Sequence, residues 1–426
     1  MKRRLGSVFS ISILLFFVAN AFYSNAQSTA SKLLEESIDV IKEGRNLPSS
    51  ADYNEKAKSY YSYAISKLET AARLDQKNAE ICYFLGAAYD YYFTPSADAW
   101  VKSDLSWEYK ASYEFEKAIK LQPNYEGRMI NLSPYSKITS IWGTIACTKL
   151  YTNKRDSALW AFNEGVKRGG FTPYTLEHFR YQLSRLPGNC IYFVSGDLPF
   201  YASVYLQEVQ NVRPDVVLVN WELIGVPWYT KALAKKHPAL FGAGKYANDS
   251  DDMKKIDTTL VVQKVSADKS KKIDWKLPHL EHYYTHGMLC LKELLDNNLS
   301  EKKIRFSSLD TSSKNGLFAG CVYDGLTYNF FEDTTKSYVP MKTMLQQYPF
   351  GSLQKINAKD FDECLQFAIM VNESLLVLGD IIQNESEDAA KPFFKLFNDS
   401  LYTYQKLLND KEIVGYIKKY RKQFKD

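Results

Sequence analysis

The chain has 426 residues, 15% of them aromatic, and 54 basic side chains against 49 acidic ones. The high aromatic content excludes a disordered chain, and the length predicts two or three domains. The charges nearly cancel and no extended basic run is present, so nothing in the sequence favours nucleic-acid binding. We therefore expect a well-packed protein whose partners are not nucleic acids.

The N-terminus has the pattern of a secretory signal. Lys2-Arg3-Arg4 is a basic segment, Val8 to Ala19 is apolar, and small residues precede Gln27. This pattern predicts an export signal over residues 1–26 that is cleaved after Ala26. We find no later apolar run of the length that a transmembrane helix needs. The sequence therefore predicts a periplasmic or otherwise exported chain whose mature form has no transmembrane helix.

Residues 28–186 are predicted to be helical and repetitive. Two quartets of small and large residues share the offsets 4, 3 and 5, and a third, looser copy follows near Trp142-Gly143; the quartets are Ala64, Leu68, Ala71, Gln76 and Ala111, Phe115, Ala118, Pro123. Small residues at these positions allow close helix packing. The pattern resembles the second helix of a tetratricopeptide repeat, which implies about three helical hairpins.

One predicted repeat carries an insertion. The segment between Tyr89 and Ala111 is longer than the plain repeat requires, and it contains Trp100 and Trp107. Insertions in repeat proteins form loops, often near a binding face, so the two tryptophans are candidate partner-binding residues. The alternative is that both rings cap the stack of repeats.

A β-α-β-α unit is predicted after the repeats. Ile191–Val194 and Val216–Val219 are continuous apolar runs, and each precedes a segment with helical spacing, at Phe200–Val209 and Trp228–Lys236. Strands that are apolar on both faces indicate a parallel sheet covered by helices. We expect a small three-layer α/β module with a mostly parallel sheet over residues 187–335.

Later elements are read with the same rules. Lys303–Phe306 is predicted as a third strand, Leu280–Leu295 as a helix, and Leu317–Phe330 as containing a further strand. Thr259–Val265 is a possible edge strand. Amphipathic spacing predicts C-terminal helices over residues 340–426, so the fold class is helical repeats, then α/β, then helices.

The β-α-β-α unit also shows a family resemblance. Its motif residues are Gly196, Asp197, Gln207, Glu208, Val209, Arg213, Asp215, Val216, Asn220, Trp228 and Tyr229. They resemble the soluble segment after the membrane-spanning part of an uncharacterised bacterial membrane-protein family related to protein O-mannosyltransferases. After Gly196-Asp197 this chain has Leu198-Pro199, so it lacks the second acidic residue that the family has in this turn. The resemblance implies a fold more than an activity, because the family's membrane-spanning part would carry any transferase chemistry.

The candidate ligand site lies at the predicted strand ends. Asp197, Asn220, Glu222 and Ser307 follow three strands whose carboxyl ends meet at one edge of a parallel sheet. Such residues can bind a sugar hydroxyl or a metal, or act as a base. The same residue types also cap helices, which is the structural alternative.

Three histidines form a second candidate site. On a helix, His279, His282 and His286 would share one face and offer three imidazoles to zinc or copper. The alternative is a set of ordinary helix-surface histidines. Neither a zinc-protease HExxH motif nor a glycine-rich phosphate loop occurs, so we predict no cofactor.

Catalytic nucleophile signatures are not found, since the sequence has no GxSxG elbow. Six cysteines without a CxxC pair indicate buried free thiols, with a bridge from Cys321 to Cys190 or Cys290 left open.

From the export signal, the repeats and the lack of catalytic motifs, we expect a non-enzymatic scaffold protein of the cell envelope that binds a protein partner through its repeats. The alternative is an enzyme or sugar-binding protein of surface glycan or glycoprotein assembly, which uses the strand-end residues.

Overall fold

The computed structural model describes residues 25–48, 50, 52–97, 100–249, 251, 253–265, 272–299, 303–308, 321–330, 338–356, 360–408 and 411–424. The chain divides into two compact units, Met1–Ile141 and Trp142–Asp426. It is mostly helical, at 65%, with small sheets. The predicted domain boundaries near residues 186 and 335 both lie inside the second unit, and most of the predicted export signal lies outside the described residues.

The described part of the first unit consists of helices. They are α1 over residues 25–45, α2 Tyr53–Leu74, α3 Ala79–Phe93, α4 Ser106–Leu121 and the first part of α5 Pro134–Tyr151. Helix α3 packs on both α2 and α4. The Asn78 side chain begins α3 by accepting the N–H groups of Glu80 and Ile81, which have no partner within the helix. Helix α3 is buried along nearly its whole length and is the core of this unit.

The small residues of the predicted repeats are buried where helices meet. Ala64, Leu68 and Ala71 are buried in α2, and Ala111, Phe115 and Ala118 are buried in α4. A Cβ on Gly86 of α3 would lie 3.1 Å from the Ala111 carbonyl oxygen. Close approach of helices therefore depends on these small side chains, and their arrangement as tetratricopeptide repeats stays a prediction.

The second unit begins with helices and continues into the sheet. After the rest of α5 come α6 Arg155–Lys167, α7 Pro173–Arg185, β1 Cys190–Val194, α8 Asp197–Glu208, β2 Val217–Asn220, α9 Pro227–Lys236 and α10 Pro238–Phe241. Strand β1 is buried at all five residues, as a central strand covered on both faces requires. The predicted β-α-β-α order is the one observed.

The main sheet has five strands, in the order β2-β1-β7-β9-β8. Strand β1 pairs in parallel with β2 and with β7 Lys303–Phe306, and β7 continues into an antiparallel hairpin of β8 Cys321–Tyr323 and β9 Tyr328–Phe330. The sheet is therefore mixed, and its three consecutive parallel strands are those read from the sequence.

The segment between α10 and β7 differs from the prediction. Strand β4 Val261–Val265 pairs with β5 Lys272–Lys276 in a separate hairpin, and β3 Met253–Lys255 pairs with β6 Tyr283–Thr285. The expected edge strand is thus not part of the main sheet. The alternating apolar and polar residues of this segment fit a strand of a two-stranded hairpin as well as an edge strand of the main sheet. Only the strand with which it pairs distinguishes the two.

The C-terminal helices belong to the core of the second unit. Helices α11 His286–Asn298, α12 Tyr338–Gln347, α13 Phe361–Asn384, α14 Glu387–Leu401 and α15 Lys411–Gln423 complete the described elements. A continuous apolar cluster joins α12 to α15 with Tyr174 and Tyr181 of α7 and with Leu326 and Tyr323 of the hairpin. Helix α7 thus connects the sheet to the C-terminal helices.

Helix α13 is long and apolar enough to cross a membrane, which the sequence prediction did not anticipate. The segment is Asp362–Asn384, and 44% of its apolar window is buried inside the protein. Phe367, Met370 and Val371 on its inner face belong to the core cluster, whereas Leu376 is exposed. A core helix of this length satisfies the same criterion, so membrane topology stays a prediction.

All six cysteines are free in the structure. Five are buried, and Cys321 on β8 is partly exposed. Burial raises the pKa of the Cys290 thiol to about 12 and that of the Cys364 thiol to about 11. These side chains therefore behave as small apolar groups of the core, without thiolate reactivity.

Candidate functional site

Two of the four predicted strand-end residues meet at the turn that follows β1. The Glu222 carboxylate accepts the Gly196 N–H at 3.0 Å and also the Ser195 hydroxyl. The Ser307 hydroxyl oxygen accepts the Ser195 N–H at 2.9 Å. Gly196 has a φ of 86°, a conformation that favours glycine at this strand-to-helix turn. Glu222 and Ser307 therefore hold the β1–α8 turn by hydrogen bonds.

The other two residues have different surroundings. Asn220 is buried; its side-chain oxygen accepts the Leu223 N–H at 2.8 Å, and its own N–H donates to the Tyr229 hydroxyl at 2.8 Å. Asn220 thereby begins the short 3₁₀ helix Leu223–Gly225. Asp197 is the first residue of α8, where the helix dipole favours a carboxylate. Asn220 thus bonds to the start of the 3₁₀ helix, whereas no side-chain hydrogen bond caps α8.

Aromatic rings pack beside this turn. Phe193 and Phe306 stack at 5.0 Å, and Trp221 meets both rings edge-on at 5.8 Å. Three cavities lined by described residues lie elsewhere, between α13 and α15 and beside the α8–β2 connection. Three aromatic rings thus pack next to the turn, and Glu222 and Ser307 bond to its residues Ser195 and Gly196.

The family-motif residues hold the unit together. Gln207 donates to the carbonyl oxygens of Arg213 and Val216 at 2.7 and 2.9 Å. The Arg213 guanidinium donates to the carbonyls of Leu183, Leu186 and Pro187, and it pairs with Asp215 at 2.7 Å. Arg213 therefore links the end of α7 to the start of β2. These roles are structural, in agreement with a resemblance that implies a fold.

The three histidines do not lie on one helix, so that prediction is corrected. Helix α11 begins only at His286, because the Thr285 side chain accepts the Met288 N–H and residues 283–285 pair as β6. His279 and His282 precede that strand and stack on each other at 4.9 Å. Buried His286 instead bonds through Nε2 to the Thr230 hydroxyl at 2.9 Å. Among the described residues, no group of three or more metal-ligand side chains converges.

Trp107 lies on α4, and Trp100 lies in the connection before it. The Trp107 ring packs against Tyr92 at 4.5 Å and against Tyr89 at 5.7 Å, and the Lys110 ammonium lies 4.2 Å from its centre. The Lys58 ammonium lies 5.5 Å from the Tyr92 ring. We call Lys58, Tyr92, Trp107 and Lys110, together with the buried Tyr89, the aromatic surface.

Sequence reasoning found Trp107 but missed its neighbours. Tyr89 and Tyr92 are one turn apart on α3, and this i, i+3 spacing next to an insertion is the signal that would have indicated them. The cluster of Arg155, Glu208, Lys235 and Lys236, at the ends of α6, α8 and α9, was also missed. Its residues are far apart in the chain, and no local pattern brings them together.

Comparison with known proteins identifies one segment. Residues 179–239 match the family described as TMEM260-associated domain 2. The match begins within α7 and ends just after α9, so it covers the β-α-β-α unit. It agrees with the resemblance to a membrane family related to protein O-mannosyltransferases. No curated protein and no solved structure matches the chain.

Proposed function

We propose that this chain is an exported, non-enzymatic interaction protein of the cell envelope, which binds a protein partner through its helical repeats. The observation that carries the proposal is the aromatic surface of the first unit. Tyrosine and tryptophan dominate the binding energy of protein interfaces, and a cation beside their rings adds a polar contact.

The aromatic surface is built from three helices. Lys58 comes from α2, Tyr89 and Tyr92 from α3, and Trp107 and Lys110 from α4. Trp107 and Tyr92 are half-buried, so each ring keeps an exposed edge. Tyr109 and Tyr113 of α4 are exposed, at 40% and 61%. A surface with rigid rings and two lysines suits a partner segment that combines apolar and acidic side chains.

The strand-end turn supports a non-enzymatic role. Glu222 and Ser307 accept hydrogen bonds from Ser195 and Gly196 of the β1–α8 turn, and the Asn220 side chain accepts the Leu223 N–H. A catalytic acid or base needs its polar atoms directed at a substrate. The alternative, an enzyme or glycan-binding protein of envelope glycan assembly, depends on these same residues and on Asp197.

The proposal is tested with the full mature chain. A photo-crosslinking amino acid in place of the exposed Tyr113 identifies the partner in the native envelope, and the purified pair is then titrated. Trp107→Ala is expected to weaken binding by about 30-fold, the loss that defines an interface hot spot. Trp160→Ala is the matched control, because Trp160 is 48% exposed on α6, outside the aromatic surface. Equal affinity of both variants contradicts the proposal.

A second comparison separates the two functions. Asp197→Ala is expected to leave partner affinity unchanged, because Asp197 lies in the other unit at the start of α8. Retention of envelope glycan by the wild-type chain, and its loss in the folded Asp197→Ala variant, would favour the glycan-binding alternative. Circular dichroism confirms folding of each variant.

A further inference from the structure

A groove in the second unit is lined by an excess of positive charge. Its two adjoining cavities, of about 270 and 390 Å³, share Leu150, Tyr151, Arg155, Glu208 and Lys236. Lys235 lines the larger cavity. We call Arg155, Lys235, Lys236 and Glu208 the basic groove. These residues come from the ends of α6, α8 and α9, so folding alone brings the charges together.

One carboxylate forms ion pairs with two of the cations. Glu208 pairs with Lys236 at 2.8 Å and with Arg155 at 3.4 Å. The Arg155 guanidinium also donates to the Glu208 carbonyl oxygen at 3.1 Å. Among the described residues, Lys235 has no ion-pair partner. Three cations and one carboxylate leave the groove with a formal charge of +2.

The cations are accessible to a ligand, whereas the carboxylate is not. The side chains of Arg155 and Lys236 are 59% and 42% exposed, and that of Glu208 is only 15% exposed. The carboxylate that pairs with both cations is therefore mostly covered, whereas the cations face solvent. Cations held in a concave site raise the local concentration of anions, and a guanidinium pairs with a phosphate through two hydrogen bonds.

We propose that the basic groove binds the phosphate group of a phosphomonoester. A phosphomonoester carries a charge of about −2 at neutral pH, which matches the groove. The site is separate from the aromatic surface and does not depend on the proposed partner. The phosphate can belong to a soluble compound or to a lipid headgroup, since both present the same dianion.

The test titrates the full mature chain with inorganic phosphate at constant ionic strength. Saturable binding is expected, and Arg155→Gln and Lys236→Gln should each weaken it by about tenfold, because each removes a charge-assisted hydrogen bond. Glu208→Gln should tighten binding by about tenfold, because it removes the one carboxylate among the described residues that line the groove and frees both cations to bind phosphate. A purely structural role of this cluster predicts no such gain.

Lys231→Gln is the matched control, because Lys231 lies on the same helix α9 but does not line the groove. Its phosphate affinity should equal that of the wild type.

Vesicles of phosphatidylcholine with and without phosphatidic acid distinguish the two sources of the phosphate, a soluble compound and a lipid headgroup. Binding only to phosphatidic acid, lost in Arg155→Gln, supports a lipid phosphate. If neither probe binds, or if the three groove variants behave like Lys231→Gln, the proposal is overturned.

Discussion

His178 is a buried imidazole in the core that joins α7 to the C-terminal helices. Its Nδ1 lies 2.8 Å from the Tyr348 hydroxyl, and the ring packs against Tyr174 and Phe179. Burial lowers the pKa of His178 from 6.5 to about 4, because the charged form loses its water. The folded state therefore keeps this side chain neutral at a pH where the unfolded chain is protonated.

This difference makes stability depend on pH. The unfolded state binds a proton below about pH 6.5, and the folded state does so only below about pH 4. The free energy of unfolding should fall by about 3 kcal/mol between these values as the pH decreases. His178→Asn keeps an acceptor and does not titrate. Denaturant titrations at a series of pH values should therefore show that its unfolding free energy depends less on pH than that of the wild type. An unchanged pH dependence of the unfolding free energy in a folded His178→Asn variant would refute the assignment.

Lys137 and Asp90 form a buried ion pair in the first unit. The two charged atoms are 2.7 Å apart, and the Lys137 side chain is 3% exposed. Burial opposes the charge of Lys137, but Asp90 and the neighbouring Tyr91 hold its pKa above the usual range. The pair is therefore charged in the folded state, and each member depends on the other.

Removing one partner of this pair should be costly. Asp90→Asn is expected to lose about 3–5 kcal/mol of stability in denaturant titration, because it leaves a buried cation without a counterion. The double variant Asp90→Leu with Lys137→Met should lose much less. Asp52→Asn is the matched control, since its pair with Lys56 is also 2.7 Å long but exposed. Similar losses in the two single variants would contradict this account.

At the level of elements, helices α5 and α8 meet at a glycine. A Cβ on Gly143 would lie 2.2 Å from Cγ of Tyr201, whose ring is buried. The Tyr201 hydroxyl lies 2.9 Å from that of Thr144, which fixes the ring in place. The contact of the two helices thus requires a residue without a side chain.

Gly143→Ala should therefore destabilise the protein by about 1–3 kcal/mol, the usual range for an overpacked core. Gly415→Ala is the matched control, because Gly415 is also inside a helix and has open space around its Cβ. That change should be neutral or stabilise by up to about 1 kcal/mol through helix propensity. Thermal unfolding of both variants tests the pair, and equal shifts would refute the packing argument.

At the level of the whole molecule, the export prediction concerns residues 1–26, most of which lie outside the described residues. We expect the mature chain to begin at Gln27, because small residues stand at the positions that the signal peptidase recognises. Intact-mass measurement of the protein from its native envelope tests this expectation. A mass that includes residues 1–26 would contradict cleavage.

Local patterns in the sequence were sufficient for much of the fold. The predicted strands at residues 191–194 and 303–306, and the predicted helix at residues 200–209, correspond to β1, β7 and α8 to within a few residues. Strand and helix periods involve near neighbours in the chain, so the sequence shows them directly. The candidate strand-end residues were located in the same way, and Glu222 and Ser307 do meet at one turn. The sequence did not predict their hydrogen-bond partners, because these depend on where the side chains point in the folded protein.

The error at the histidines arose where a local helical pattern competed with pairing to a distant strand. His279 and His282 fit a helical period, but the pairing of residues 283–285 with β3 and the Thr285 cap delay the helix to His286. A strand pair formed with residues some thirty positions away outweighs the weak helix preference of this short segment.

The sequence by itself therefore determined the β-α-β-α unit, the strand at residues 303–306 and the family resemblance, because periodicity and motifs are local. Only the tertiary structure decided that the C-terminal helices share a core with α7, that Trp107 packs with Tyr89 and Tyr92, and that Arg155, Glu208 and Lys236 form one groove. These contacts join residues from separate elements, and the packing of buried apolar faces determines which elements meet.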